Sequence, residues 1–348
     1  MPKRMTGTAA AIAQERVPAE MTSAGIWDVL TAGGRRTRRF EPSVDPVLIE
    51  RAAEAGRGLS ERLRDRQIQI RKSFVRRREV HQPLPASAAL AASRSEVHLK
   101  MALTLLWISA GKGRDPRYVK LTPRDQRALE RRESFNHPFI EDELDGRALL
   151  LATDPYVAEF RLPDYAKLLG LPKPKTAGAS RVRRSLDELA KAKLIWVDRT
   201  NGAAPRTQLR REDGSGDRYT LPGEKTSVSS DDTGSRAEGR YIVLPAVFFT
   251  NGWAATLSAR AIAALLAITV QHGLDPDRPA FIAPSVRADR FGLSDDSFHR
   301  GAAELVFFDL VHHETAPVQR EWSTSRGRVR HAFIPMPTRL GDDPTTHL

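Results

Sequence analysis

Three arginines, Arg181, Arg183 and Arg184, crowd the start of the segment SRVRRSLDELAKAKLIWVDR at positions 180–199. A guanidinium is a planar, permanently charged fork that meets a phosphate, or the O6/N7 edge of guanine, with two parallel hydrogen bonds. Arg181 and Arg184 are three residues apart and share one face of a helix, while Val182 and Leu186 turn the other way. Helix starts normally favour acids, so three cations there oppose the helix dipole, a local cost that points to function. A second segment, SDDSFHRGAAELVFFDLVHHET at 294–315, places Asp295 and Asp296 in its first turn and leaves His299 and Arg300 as its candidate DNA contacts. More arginines follow each segment. Arg199, Arg206, Arg210, Arg211 and Arg218 surround Gly214 and Gly216 after the first. Arg320, Arg326, Arg328 and Arg330 follow the second, with Trp322 among them. Arginines flanking a glycine-rich tip suit minor-groove or backbone contacts.

The chemistry of catalysis is not legible in the same way. The chain has no cysteine, which excludes thiol nucleophiles, thiolate zinc sites and a disulfide framework. It carries neither G-x-x-x-x-G-K-[ST] nor H-E-x-x-H. His312 and His313 are adjacent, so on a strand their rings point apart, unlike the His-hydrophobe-His pair of rolling-circle nickases. Glu141, Asp142, Glu143 and Asp145 read as a solvated helix start rather than a cation site. The expectation is a chain that is not an enzyme and holds no cofactor and no metal.

The elements that must position these arginines form an internal repeat. LPDYAKLLGL (162–171) and APSVRADRFGL (283–293) share A-x-x-x-G-L, with Ala166 matching Ala288 and Gly170-Leu171 matching Gly292-Leu293. The pattern predicts a short helix with a small residue at a close crossing, ended by a glycine in the left-handed conformation. A second helix follows in each copy, opened by Ser180 or Ser294 as N-cap, with Val182, Leu186, Leu189 and Leu194 facing a core in the first. Each copy then ends in β-prone residues and an Arg-bearing hairpin. A longer apolar helix precedes each copy, over 96–110 with Gly111 as stop and over 258–272 with Gly273 as stop. The predicted fold class is α+β, mainly helical, with two winged-helix units in tandem, each a helix-turn-helix plus a β-hairpin wing.

The expected domains are a basic, partly disordered N-terminal arm at 1–92, a first unit at 93–221 interrupted by an insertion at 112–156, a flexible linker at 222–239, a second unit at 240–340 and a tail at 341–348. The arm holds Arg35, Arg36, Arg38 and Arg39 together, a helix over Pro46–Leu63, and eight basic residues against one acid from Arg62 to Arg78. The insertion includes an amphipathic stretch at 123–132. The linker, PGEKTSVSSDDTGSRAEG, has almost nothing apolar to bury.

Across 348 residues, 55 Lys and Arg outnumber 43 Asp and Glu, a net charge of +12, and all but 11 of those cations are arginine. With a pI near 10.2, nucleic acid is the default partner. No apolar run approaches the ~18 residues of a membrane span, and the first twenty residues lack the apolar stretch of a secretory signal. The expected location is therefore cytoplasmic, at the nucleoid or a plasmid, with no membrane partner.

Two such units in one basic chain, carrying A-x-x-x-G-L at 166–171 and 288–293, resemble theta-type plasmid replication initiators over about residues 93–340. The resemblance implies binding of repeated origin sequences in double-stranded DNA, homodimers that repress their own gene, and recruitment of host replication proteins. It places groove-reading roles on Arg181, Arg183 and Arg184 and on His299 and Arg300. The insertion and the Asp295-Asp296 start depart from that pattern. A transcriptional regulator and a partition-type or structural DNA-binding adaptor are the alternative readings.

Overall fold

The computed structural model describes residues 45–63, 67–112, 157–199, 204–222, 241–317 and 329–348. Helix α1 (Pro46–Leu63) turns Ile49, Ala52, Ala53, Leu59 and Leu63 into one buried stripe at helical spacing, on the bounds that the sequence predicts. Strand β1 (Ile68–Arg71) buries Ile68 and Ile70. The single-turn α2 (Lys72–Val75) buries Phe74 and Val75, and α3 (Ala86–Ala91) leads into α4 (Val97–Lys112). α4 is buried on all sides, with Leu99, Met101, Leu103, Leu105, Leu106, Trp107 and Ile108 inside and the polar His98, Lys100, Thr104 and Ser109 buried among them. Next come β2 (Val157–Glu159), α5 (Leu162–Leu168), a π-type turn (Pro174–Gly178), α6 (Ala179–Lys191), β3 (Ile195–Asp198) and β4 (Arg206–Leu209).

The second half repeats this plan. β5 (Tyr241–Leu244) is followed by the short α7 (Val247–Thr250) and α8 (Trp253–Thr256), then by the central apolar α9 (Ala259–His272). β6 (Ala280–Phe281), α10 (Pro284–Val286), a π-type turn (Arg287–Phe291), α11 (Asp295–Phe307), β7 (Val311–Pro317) and β8 (Val329–Pro335) complete it, and two 3₁₀ turns close the chain. The fold is thus α+β and mainly helical. Its two three-stranded sheets share one antiparallel topology, β2-β4-β3 and β6-β8-β7, in which the short strand before the helical turn pairs with the second strand of the hairpin. In each half the central helix packs on the helix after the turn, α4 on α6 and α9 on α11.

The halves interlock. β1 and β5 pair antiparallel, with Ile68 opposite Leu244, Gln69 opposite Val243, Ile70 opposite Ile242 and Arg71 opposite Tyr241. Gly170 after α5 (φ +63°) presses on Ala255 of α8, where an added Cβ would fall 2.6 Å from the Ala255 Cβ. Reciprocally, Gly292 (φ +66°) presses on Ala88 of α3, where an added Cβ would fall 3.1 Å away. Each turn of A-x-x-x-G-L is therefore seated on the other half. Trp107 of α4 stacks on Phe249 of α7, ring centroids 4.4 Å apart.

Several expectations change accordingly. Residues 46–63 and 67–92 are not an arm: α1 packs on α5, α7 and α8, and β1 and α2 hold the two halves together. The arginine group at 35–39, the insertion at 113–156 and all but Pro222 of the expected linker lie outside the described residues. α4 continues through Gly111 to Lys112, since a lone glycine in a helix costs only ~1 kcal/mol. Ser180 is not an N-cap: the π-type turn runs straight into α6 with helical backbone at Gly178, whereas Ser294 does cap α11, accepting from the Ser297 amide. Ala166 is buried beneath Gly178 as expected, but Ala288 is exposed. The wider π-type turn at 287–291 rotates that alanine out of the crossing.

Candidate nucleic-acid interface

α6 is strongly two-sided. Val182, Leu186 and Leu189 are fully buried against the inner face, together with Ser185. Arg181, Arg183 and Arg184 all point to solvent. Among the described residues no carboxylate pairs with any of the three, although the same helix pairs Lys191 with Glu188 at 2.6 Å and Asp187 with Arg199. Acids are at hand further along the helix, and the first turn stays cationic.

α11 uses its charges internally. Asp296 pairs with Arg300 at 2.9 Å, one turn apart, and Asp295 lies 3.4 Å from Arg287. Arg287 is buried, lies over the Phe298 ring at 4.9 Å and bonds His299 Nε2 at 2.8 Å. His299 is consequently half-buried and turned inward. Burial, then the Arg287 charge, holds its imidazole below the usual histidine range. Of the two candidate contacts on this helix, Arg300 is exposed with a surface acid as partner, and His299 belongs to the packing.

The hairpin arginines fall into two groups. In the first half the β3–β4 hairpin closes at the Asp198–Arg206 pair, so Arg199 and Arg206 stand at its end. Arg210, Arg211 and Arg218 sit in a separate loop after β4, which folds back so that Gly214 and Gly216 approach Ala192 and Lys193 at the end of α6. Arg210 and Arg218 face each other across a single β-bridge, and Arg211 pairs with Asp213 at 3.0 Å. The expected glycine-tipped wing is therefore two structures, because both glycines adopt positive φ outside the hairpin. In the second half Arg330 lies over Phe281 at 5.1 Å; Arg320, Trp322, Arg326 and Arg328 lie outside the described residues.

His312 and His313 point to opposite faces of β7, as expected. His312 is exposed, while His313 stacks on His331 with His313 Nε2 and His331 Nδ1 2.9 Å apart. Burial and the neighbouring His331 push His313 down to about 4, so the group packs as neutral rings. Among the described residues no cluster of His, Asp and Glu could hold a metal ion. Sequence reasoning missed Arg287, whose pairing with Asp295 and His299 organises the start of α11. Its type was visible in VRADRF, but its burial depends on the π-type turn.

No protein-family model, curated protein or solved structure matches the chain. No helix among the described residues is long and apolar enough to cross a membrane.

Proposed function

We propose that the chain binds double-stranded DNA sequence-specifically, through two winged-helix halves that act as one body. The observation that carries this reading is the row of three exposed arginines without carboxylate partners, Arg181, Arg183 and Arg184, on the helix that follows the turn. The strand order shared by both sheets, and the helix–turn–helix ahead of each hairpin, support the winged-helix reading. In its most concrete form the protein is a replication initiator of a plasmid or mobile element that reads origin repeats. It is not an enzyme on this reading, and it works where DNA is, at the nucleoid or a plasmid. The first half reads bases; the second, whose helix-start acids are internally paired, contributes Arg300 and its hairpin.

Selection of bound duplexes from a randomised pool tests this. A defined motif should emerge, with affinity falling steeply between low and physiological salt as phosphate contacts release counterions. Arg184→Ala should relax preference at one base pair, costing ~1–3 kcal/mol on the selected site and less on other sequences. A pool that enriches no motif, or affinity indifferent to salt, would sink the proposal.

A further inference from the structure

Between the two halves lies a cleft of about 700 Å³, the size of a small-molecule site and independent of the α6 surface. Among the described residues, seven cationic side chains line it against one acid, Asp213. Two of the seven are already committed: Arg71 to Glu212 at 2.5 Å and Arg211 to Asp213 at 3.0 Å. Arg77 is committed differently. Its Nε donates to the Asp289 carbonyl at 2.5 Å, its Nη1 to the Gln82 carbonyl at 2.7 Å, and its amide to the Arg290 carbonyl at 2.9 Å.

Arg77 thereby clamps the segment after α2 onto the π-type turn of the other half and holds Arg76 beside Arg290. Among the described residues no carboxylate pairs with either. Arg76 is partly buried over the Phe291 ring, and desolvation and then the Arg290 charge push its guanidinium below the usual range. Two like charges clamped together in a partly desolvated cleft repel each other, and an anion between them would reverse that cost. The lining also includes two exposed apolar side chains, Leu84 and Leu274, 51% and 46% exposed.

We infer that this cleft binds a phosphate ester with at least two phosphate groups and an attached ring, the chemistry of a nucleoside di- or triphosphate, with the phosphates between Arg76 and Arg290 and the ring on Leu84 and Leu274. Bidentate guanidinium–phosphate bonds are the strong, charge-assisted kind, and they need no glycine-rich loop. Arg290 lies four residues before the N-cap of α11, so an occupant bears directly on the second half's helix start. The same chemistry has two sources, a free nucleotide and a phosphodiester of DNA. The exposed apolar side chains Leu84 and Leu274 beside the arginines, which a ring can cover and a bare phosphodiester would leave wet, favour the free nucleotide.

Calorimetric titration of the full chain with ATP, inorganic triphosphate and adenosine tests the assignment, with a duplex-binding assay on the same proteins. ATP should bind saturably below about 1 mM. Arg76→Gln and Arg290→Gln should each weaken it at least tenfold, and Arg184→Ala should leave it unchanged. Triphosphate should bind more weakly than ATP, and adenosine should not bind. Thermal unfolding guards against misfolding: without ligand, Arg290→Gln should melt at or above wild type because repulsion is relieved, and ATP should raise the wild-type midpoint more than the variant's. Absence of saturable ATP binding, or binding untouched by both substitutions, overturns the inference. Equal affinity for triphosphate and ATP overturns the role of Leu84 and Leu274. Loss of duplex affinity in Arg76→Gln and Arg290→Gln, with no ATP binding to wild type, assigns the cleft to the DNA backbone instead.

Discussion

Glu304 shows how one buried side chain sets a pH response for the whole chain. It sits on the inner face of α11, where its carboxylate accepts from the Ser258 amide at 2.6 Å and meets the Ser258 hydroxyl at 2.5 Å. It thus ties α11 to the cap of α9. The buried Lys100 is close enough to favour its charged form and spends its ammonium on the Ala255 carbonyl at 3.1 Å. Burial outweighs these partners and pushes Glu304 up to about 7. The folded chain then holds a proton between pH ~4.5 and ~7 that the unfolded chain releases. Stability from this group is fully present below ~4.5 and is lost as pH rises through 7. Glu304→Gln keeps the shape without the charge: its amide oxygen accepts from the Ser258 amide and its NH2 donates to the Ser258 hydroxyl oxygen. It should flatten that part of the stability curve and leave the variant more stable than wild type at pH 8, by about 2–3 kcal/mol. Denaturant midpoints at pH 5, 6, 7 and 8 check this; parallel wild-type and variant curves would show that Glu304 does not titrate there.

At the scale of elements, what could be read from the sequence was whatever is set within one turn or one strand. Pro46–Leu63, the core face of α6 and the Ser294 cap were legible because helical spacing and capping are local. The lengths of two turns were not. The π-type turn at 287–291 adds a residue that no side chain announces, and it decides that Ala288 faces solvent and Arg287 faces the core. The site divided in the same way. The exposure of Arg181, Arg183 and Arg184 follows from periodicity within one helix. The pairing of Arg287 with Asp295 and His299, and the cleft at Arg76 and Arg290, depend on turns and on long-range packing. Gly170 offers a test of that packing. Gly170→Ala forces a side chain into the left-handed region, at ~1–2 kcal/mol, and sets its Cβ against Ala255; the expected loss is about 2–4 kcal/mol. Ala255→Gly in the same chain should restore the part due to the clash and not the backbone part, giving a favourable coupling in a double-mutant cycle. Additive losses would mean that the two turns are not seated as described.

At the scale of the whole molecule, the repeat suggests two separable units, and the packing joins them. The strand that completes the β5 edge is β1, four residues long and at least 170 residues away in sequence, too short for its alternation to name a partner. Its surroundings, rich in arginine from Arg62 to Arg78, read as a solvated arm because the charges hide Ile68, Ile70, Phe74 and Val75, all buried. Taken alone, residues 241–348 would expose Ile242, Leu244 and Phe249, together with an unpaired strand edge. Residues 45–222 would expose Trp107 and the turn at Gly170. Neither half has a closed core. Cutting the chain once between 223 and 240 should leave both fragments bound one to one, eluting together and unfolding in a single cooperative transition a few degrees below that of the intact protein. Residues 241–348 expressed alone should aggregate or melt without cooperativity, and adding residues 45–222 should restore the transition. Two separate transitions, or a fragment that folds and binds duplex DNA by itself, would return the protein to a tandem of independent units and remove the shared cleft with it.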